Sequence, residues 1–186
     1  MKIITGIMVI LLSGCTFKYD ANQIQFINSN WQSINTNLSI GKVNYIPNSR
    51  YSQRTFALSG GILVGFMDVG KDIDISINEL AYLELSRALK ERTIPTKKSG
   101  VQCSLNADIY YLKMDKLDNV YTTIRYELTK NGSLLYKAKI DSKYDHNLFS
   151  NQPYVEGQSL ASGIHKNIND LLGQKQVLDV LNSNCQ

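Results

Sequence analysis

Across 186 residues the chain has no long hydrophobic run, two histidines, three cysteines and a single tryptophan. A membrane-spanning helix needs roughly 20 apolar residues, and the N-terminal stretch from Ile3 to Leu12 is far too short for that. Lys97-Lys98 is the longest basic run, and the net charge of +4 is spread evenly, so the basic stripe of a nucleic-acid binder is missing. His146 and His165 have no His-x₃-His spacing and no Cys-x₂-Cys occurs, so no metal centre is predicted. Neither the G-x-x-x-x-G-K loop nor G-x-G-x-x-G is present, which excludes the phosphate-cradling glycine loops. Asp72 to Glu79 places oxygen-bearing residues at alternate positions, but a calcium loop counted from Asp72 would need Gly where Ile77 stands and Glu where Leu83 stands. Gly157-Gln158-Ser159-Leu160-Ala161 lacks the last glycine of a nucleophile elbow and no apolar strand leads into it; Ser159 reads better as a helix N-cap. No cofactor and no catalytic set is expected.

What is present begins with an address. Lys2 gives a positive start, Ile3 to Leu12 an apolar stretch, and Ser13-Gly14 the small residues before a cleavage point, so residues 1–14 read as a secretory leader. Leu12-Ser13-Gly14-Cys15 resembles a bacterial lipobox: an aliphatic residue, a small residue, Gly or Ala, then Cys. That resemblance implies that Cys15 is diacylated on sulfur, becomes the first residue of the mature chain and is acylated again on nitrogen. Each buried CH₂ contributes about 0.8 kcal/mol, so one chain holds marginally and several hold stably. Thr16, where an inner-membrane retention signal would more often place Asp, implies the outer membrane with the chain facing the periplasm. The alternative is an ordinary cleaved leader with Cys15 a bystander.

Loss of Lys2 with the leader takes one charge from the +4 and leaves a mildly basic mature chain. Cys103 and Cys185 can pair in an oxidising compartment or stay as two buried thiols. A bridge closing so long a loop stabilises by up to about 4 kcal/mol in the chain-entropy model.

Residues 15–37, rich in Asn, Gln and Ser, read as a polar tether, and 38–186 as one domain. A first strand is expected at Leu38 to Ile46. Gly60 to Met67 is apolar but broken by glycines; it is either a buried strand pair or an exposed loop in which Leu63, Val64, Phe66 and Met67 contact a partner or the bilayer. Ser76 followed by Glu79 has capping-box spacing and opens a helix over Ile77 to Arg92, with Ile77, Leu80, Ala81, Leu85, Ala88 and Leu89 on one face. Glu84 falls inside that apolar face and is expected at its rim or paired. Three strands follow at Val101 to Met114, Val120 to Thr129 and Ser133 to Lys143, the last two joined by Asn131-Gly132, a type I′ hairpin signal. In the third, Leu134, Tyr136, Ala138 and Ile140 are expected inside. Tyrosines gather on these strands, as sheet packing or as an amphipathic binding surface. Ser159 to Leu172 reads as a second helix, with Gln174 to Leu181 extending or bending it past Gly173. The expected fold is α+β, an antiparallel sheet of about four strands with two helices on one face, in the order strand, helix, three strands, helix.

Leu85-Ser86-Arg87-Ala88-Leu89-Lys90-Glu91-Arg92, Leu105-Asn106-Ala107-Asp108-Ile109, the Asn131-Gly132 hairpin and the apolar spacing of Ile164 to Leu172 carry a further resemblance. With the lipobox, they make the chain similar to small Gram-negative lipoproteins of the YajG type, and more loosely to LptE-like and ABC-transport-auxiliary lipoproteins. The resemblance implies a helix-on-sheet fold and a non-enzymatic accessory or structural role in an envelope assembly, secretion or transport complex, with an envelope protein as partner. A small periplasmic binding module for lipid, glycan or peptide is the alternative.

Overall fold

Period-two alternation over three long segments dictates a sheet with one dry face, and a computed structural model of the protein shows it. It describes residues 33–46, 54–57, 66–68, 77–96, 103–114, 119–145 and 158–186. In chain order the elements are β1 (Ile34–Asn35), β2 (Leu38–Tyr45), β3 (Arg54–Ala57), β4 (Phe66–Asp68), α1 (Ile77–Arg92), β5 (Thr93–Ile94), β6 (Cys103–Met114), β7 (Val120–Lys130), β8 (Ser133–Tyr144), α2 (Gln158–Leu172) and α3 (Lys175–Asn184).

The class is α+β, with a four-strand body in the order β2-β6-β7-β8 and helices on one face. β6 to β8 form an antiparallel meander. The Asn131-Gly132 turn has φ of 51° and 82°, the two left-handed positions that a type I′ turn requires. The expectation of a wholly antiparallel sheet needs one correction: β2 pairs with β6 in parallel, Leu38 opposite Cys103 and Tyr45 opposite Ile109. α1 lies between these strands in sequence, and a crossover through a helix returns the chain in the same direction. β3 joins the far end of β6 through Phe56 and Met114, with β4 antiparallel to β3.

Two further differences have local causes. The helical end of the chain is two helices, because α2 stops at Gly173, whose N–H bonds to the Asn169 carbonyl at 2.9 Å, and α3 restarts at Lys175. Leu134 is 57% exposed rather than inside: a bulge at Leu128/Thr129 shifts the register by one residue and turns it outward, leaving Leu135 packed against the core. The domain also starts earlier than residue 38, since Ile34 and Thr36 are buried and β1 pairs in parallel with β5.

The dry face is made by Leu105, Ala107 and Ile109 of β6 and by Ile124, Tyr126 and Leu128 of β7. The expected stripe of α1 is buried, and α1 packs on β2 and α2, while α2 lies across β7 and β8. Full burial of each large apolar side chain contributes about 1.5–3 kcal/mol. Cys103 and Cys185 form a disulfide with Cα atoms 5.6 Å apart, tying the end of α3 to the start of β6.

α2 approaches the sheet most closely at Gly163, where an added Cβ would sit 2.4 Å from Val120 Cγ1 and 2.7 Å from Val120 Cβ. Gly163→Ala is expected to destabilise by about 1–2 kcal/mol net, since overpacking of about 1–3 kcal/mol outweighs the helix-propensity gain of just under 1. Urea unfolding checks this, and in a Val120→Ala background, which removes Cγ1 but keeps the Cβ at 2.7 Å, the penalty at position 163 should shrink without vanishing.

Candidate functional site

At one end of the sheet the N-terminal segment, the C-terminus and β6 meet on Asn37. Its N–H donates to the Cys185 carbonyl at 2.7 Å, its carbonyl accepts from Cys103 N–H at 3.1 Å, and its side-chain amide exchanges bonds with Thr96 at 2.6 and 3.0 Å. Thr36 Oγ1 donates to the same Cys185 carbonyl at 3.0 Å. The chain coming from Cys15 therefore joins the domain at the disulfide. Among the three cysteines of the sequence, two are bridged, and Cys15 lies outside the described residues.

A second cluster fills the seam between α1 and α2. The face of α1 that sequence periodicity makes apolar also carries Glu84 and Arg92, both buried, and α2 presents His165 and Asn169. Glu84 is not at a rim: it is fully buried, and burial pushes its carboxyl up to about 7, opposed by the Arg87 charge and assisted by Glu91. Burial, with help from Arg87, brings His165 down to about 4. Its Nε2 lies 3.3 Å from a Glu91 oxygen, but that carboxylate is half exposed and solvent-screened. Desolvation wins, so at neutral pH His165 is uncharged and this contact is an N–H···O hydrogen bond rather than an ion pair. Arg92 donates to Asn169 Oδ1 at 3.2 Å and to the Leu172 carbonyl at 3.4 Å, closing the C-terminus of α2.

The opposite face of the sheet is polar and is not covered by the described helices. Across it Asn44 donates to Asp108 at 2.8 Å, Arg125 bonds Asp108, and Lys137 bonds Glu127 at 2.8 Å. Burial works to raise the Asp108 pKa, but the hydrogen bonds from Asn44 and Arg125, with the charges of Arg125 and Lys42, hold it below the usual carboxylate value. Arg125 lies over Tyr110 at 5.2 Å and the Lys143 ammonium over Tyr121 at 5.7 Å.

The sequence-predicted positions are thus dispersed. Cys103 and Cys185 are brought together; Leu63 and Val64 lie outside the described residues, and Phe66 and Met67 fall on β4. Ser159 is buried in the first turn of α2, which starts one residue before it. The tyrosines divide: Tyr110 and Tyr121 belong to the polar face, whereas Tyr126 is buried and donates to Asn167 at 2.9 Å. Sequence reading gives no role to His165 or Arg92. The available signal was position: His165 follows Ile164 within the apolar spacing of α2, and Arg92 closes the apolar stripe of α1.

No protein-family model matches the chain, and no curated protein matches it by sequence. Among solved structures, a Xanthomonas campestris protein of the DUF330 family superposes with a TM-score of 0.52 at 11% identity, over 90% of this chain and 96% of that one. A Caulobacter crescentus protein named as a candidate lipoprotein gives 0.32 at 16% identity, over 57% of this chain and 81% of that one. A PelC dodecamer from Paraburkholderia phytofirmans gives 0.31 at 15%, over 81% and 93%. The first likeness is one of fold alone, and the other two are too distant to bear on this chain.

The seam sets a pH signature. Glu84 holds its proton between the unfolded value of 4.5 and about 7, so it binds protons in the folded state and its contribution falls as pH rises through that window. His165 refuses a proton between about 4 and 6.5, so its contribution rises with pH. The two nearly cancel. Relative to wild type, Glu84→Gln should therefore gain about 3 kcal/mol between pH 4.5 and 7, and His165→Gln should lose about 3 kcal/mol of relative stability between pH 4 and 6.5. Urea midpoints across pH check both, and difference curves of the same sign would contradict this account.

Proposed function

We propose that the chain is an acylated lipoprotein, held at the outer membrane through Cys15 and facing the periplasm. Its domain serves as a non-enzymatic accessory or structural part of an envelope assembly, secretion or transport complex. The observation that carries this reading is the distribution of cysteines. The bridge between Cys103 and Cys185 accounts for two of three, and the third stands at the lipobox cysteine position. Disulfides persist in oxidising compartments such as the periplasm, so the bridge and the leader support the same address by independent chemistry.

Among the described residues no helix is long and apolar enough to cross a membrane, and in this reading the acyl chains supply the hold on the bilayer. The resemblance to YajG-type, LptE-like and ABC-transport-auxiliary lipoproteins supports the same class of role. Glu84 and His165 are each buried rather than open to a substrate, which favours a structural reading of both. Leu63, Val64, Phe66 and Met67 are the proposed contact with the envelope partner.

Palmitate labelling with membrane fractionation tests the anchor. Wild type is expected to be labelled and sedimented with membranes, and Cys15→Ser to be unlabelled and released to the soluble periplasm with the Cys103–Cys185 bridge intact. Unchanged labelling in Cys15→Ser would remove the anchor. Crosslinking in intact cells should capture one reproducible envelope protein that Leu63→Asp with Phe66→Asp loses.

A further inference from the structure

The polar face of the sheet forms a plate about 15 Å across its four strands and about 35 Å along β6. Its carboxylates are engaged: Asp108 by Arg125 and Asn44, Glu127 by Lys137, and Asp141 by the Thr123 hydroxyl. Its cations exceed them. Lys113 and Lys139 form no ion pair with any described residue. Lys139 stands directly opposite Arg125 on the β7–β8 ladder, and Lys113 opposite Tyr121, which is opposite Lys143 in turn. Arg125 is already offset by Asp108, so Lys113 and Lys139 are the charges this face leaves for an external anion.

Aromatic groups lie among these cations. The register shift between Ile109 and Tyr111 breaks the alternation of β6 beside Tyr110, and Tyr110 and Tyr121 each carry a cation over the ring. Tyrosine offers an apolar body with a polar tip, the chemistry enriched where one side of a contact is wet and the other is not.

We propose that this face lies against the anionic phospholipid surface of the bilayer to which the chain is tethered. The proposal rests on the acylation of Cys15 only for what keeps that bilayer close. Residues 15–32 reach about 60 Å when extended, more than the length of the plate, so the domain can lie flat beside its own anchor. Each uncompensated cation near an anionic surface multiplies partition by about fivefold. A surplus of two cations gives about 25-fold in partition for the free protein at low salt, and a tether adds its effective concentration to that. The surplus is spread over the open face of the sheet rather than gathered at one point, which fits a headgroup layer better than an acidic peptide.

The test uses the leaderless full-length chain with Cys15→Ser, sedimented with vesicles of phosphatidylcholine alone or with about one-third phosphatidylglycerol, at low and at physiological salt. Binding is expected only to the anionic vesicles, weakening as salt screens it. Lys113→Gln with Lys139→Gln should lower the partition about 25-fold. Lys90→Gln with Lys175→Gln removes the same charge from exposed helix positions and should lower it less than about twofold. No binding to either vesicle, equal binding to both, or equal loss in the two double variants would overturn the proposal. None of these outcomes depends on acylation, which palmitate labelling reads separately.

Discussion

Asn167 sits in the middle of the dry face of the sheet with its amide fully used. It donates to Thr122 Oγ1 at 2.8 Å and to the Ile140 carbonyl at 3.0 Å, and accepts from the Tyr126 hydroxyl at 2.9 Å. A buried amide of this kind tolerates only one seating of its helix, because sliding α2 by a turn would leave several polar groups dry and unpartnered. The approach at Gly163 fixes the height of α2 above β7, and Asn167 fixes its position along the strands. α1 then packs against a helix already placed, and the Arg92 contacts at the end of α2 follow from that placement.

The fold was legible where a single period governs a segment. α1 begins and ends at the expected residues, β6 to β8 differ from expectation by one or two residues at their ends, and Asn131-Gly132 turns as its chemistry requires. What was not legible depended on relations between distant segments. Nothing local in Leu38 to Tyr45 states whether it runs with or against β6, because direction follows from the crossover. The outward turn of Leu134 follows from a bulge shared by two strands, which alternation in one strand cannot reveal. Ile34 and Thr36 sit in a polar stretch, and only their partners Thr93 and Cys185 make them part of the domain.

The candidate site was legible in the same uneven way. The resemblance of Leu12 to Cys15 to a lipobox is carried by four contiguous residues and can be read without a fold. The pairing of Cys103 with Cys185 needed the 82-residue excursion between them to close, and the Glu84–His165 seam needed two helices to meet. Glu84 was visible as an anomaly on an apolar face, but its partner helix lies some 80 positions later in the chain. The seam keeps two titrating groups whose pH responses oppose one another, so the helix interface retains its strength where either group alone would not.

The meeting of Asn37 with Cys185 and Cys103 has a mechanical consequence. The N-terminal segment joins the sheet at Leu38 beside Cys103, while β3 and β4 attach at Met114, the other end of β6. A pull applied between the N-terminal segment and the β3–β4 end would therefore run lengthwise along β2 and β6. It loads their rungs in shear, all together, instead of unzipping them one by one. The covalent bridge makes the last helix share that load with β6, so the bridged end of the domain resists fraying.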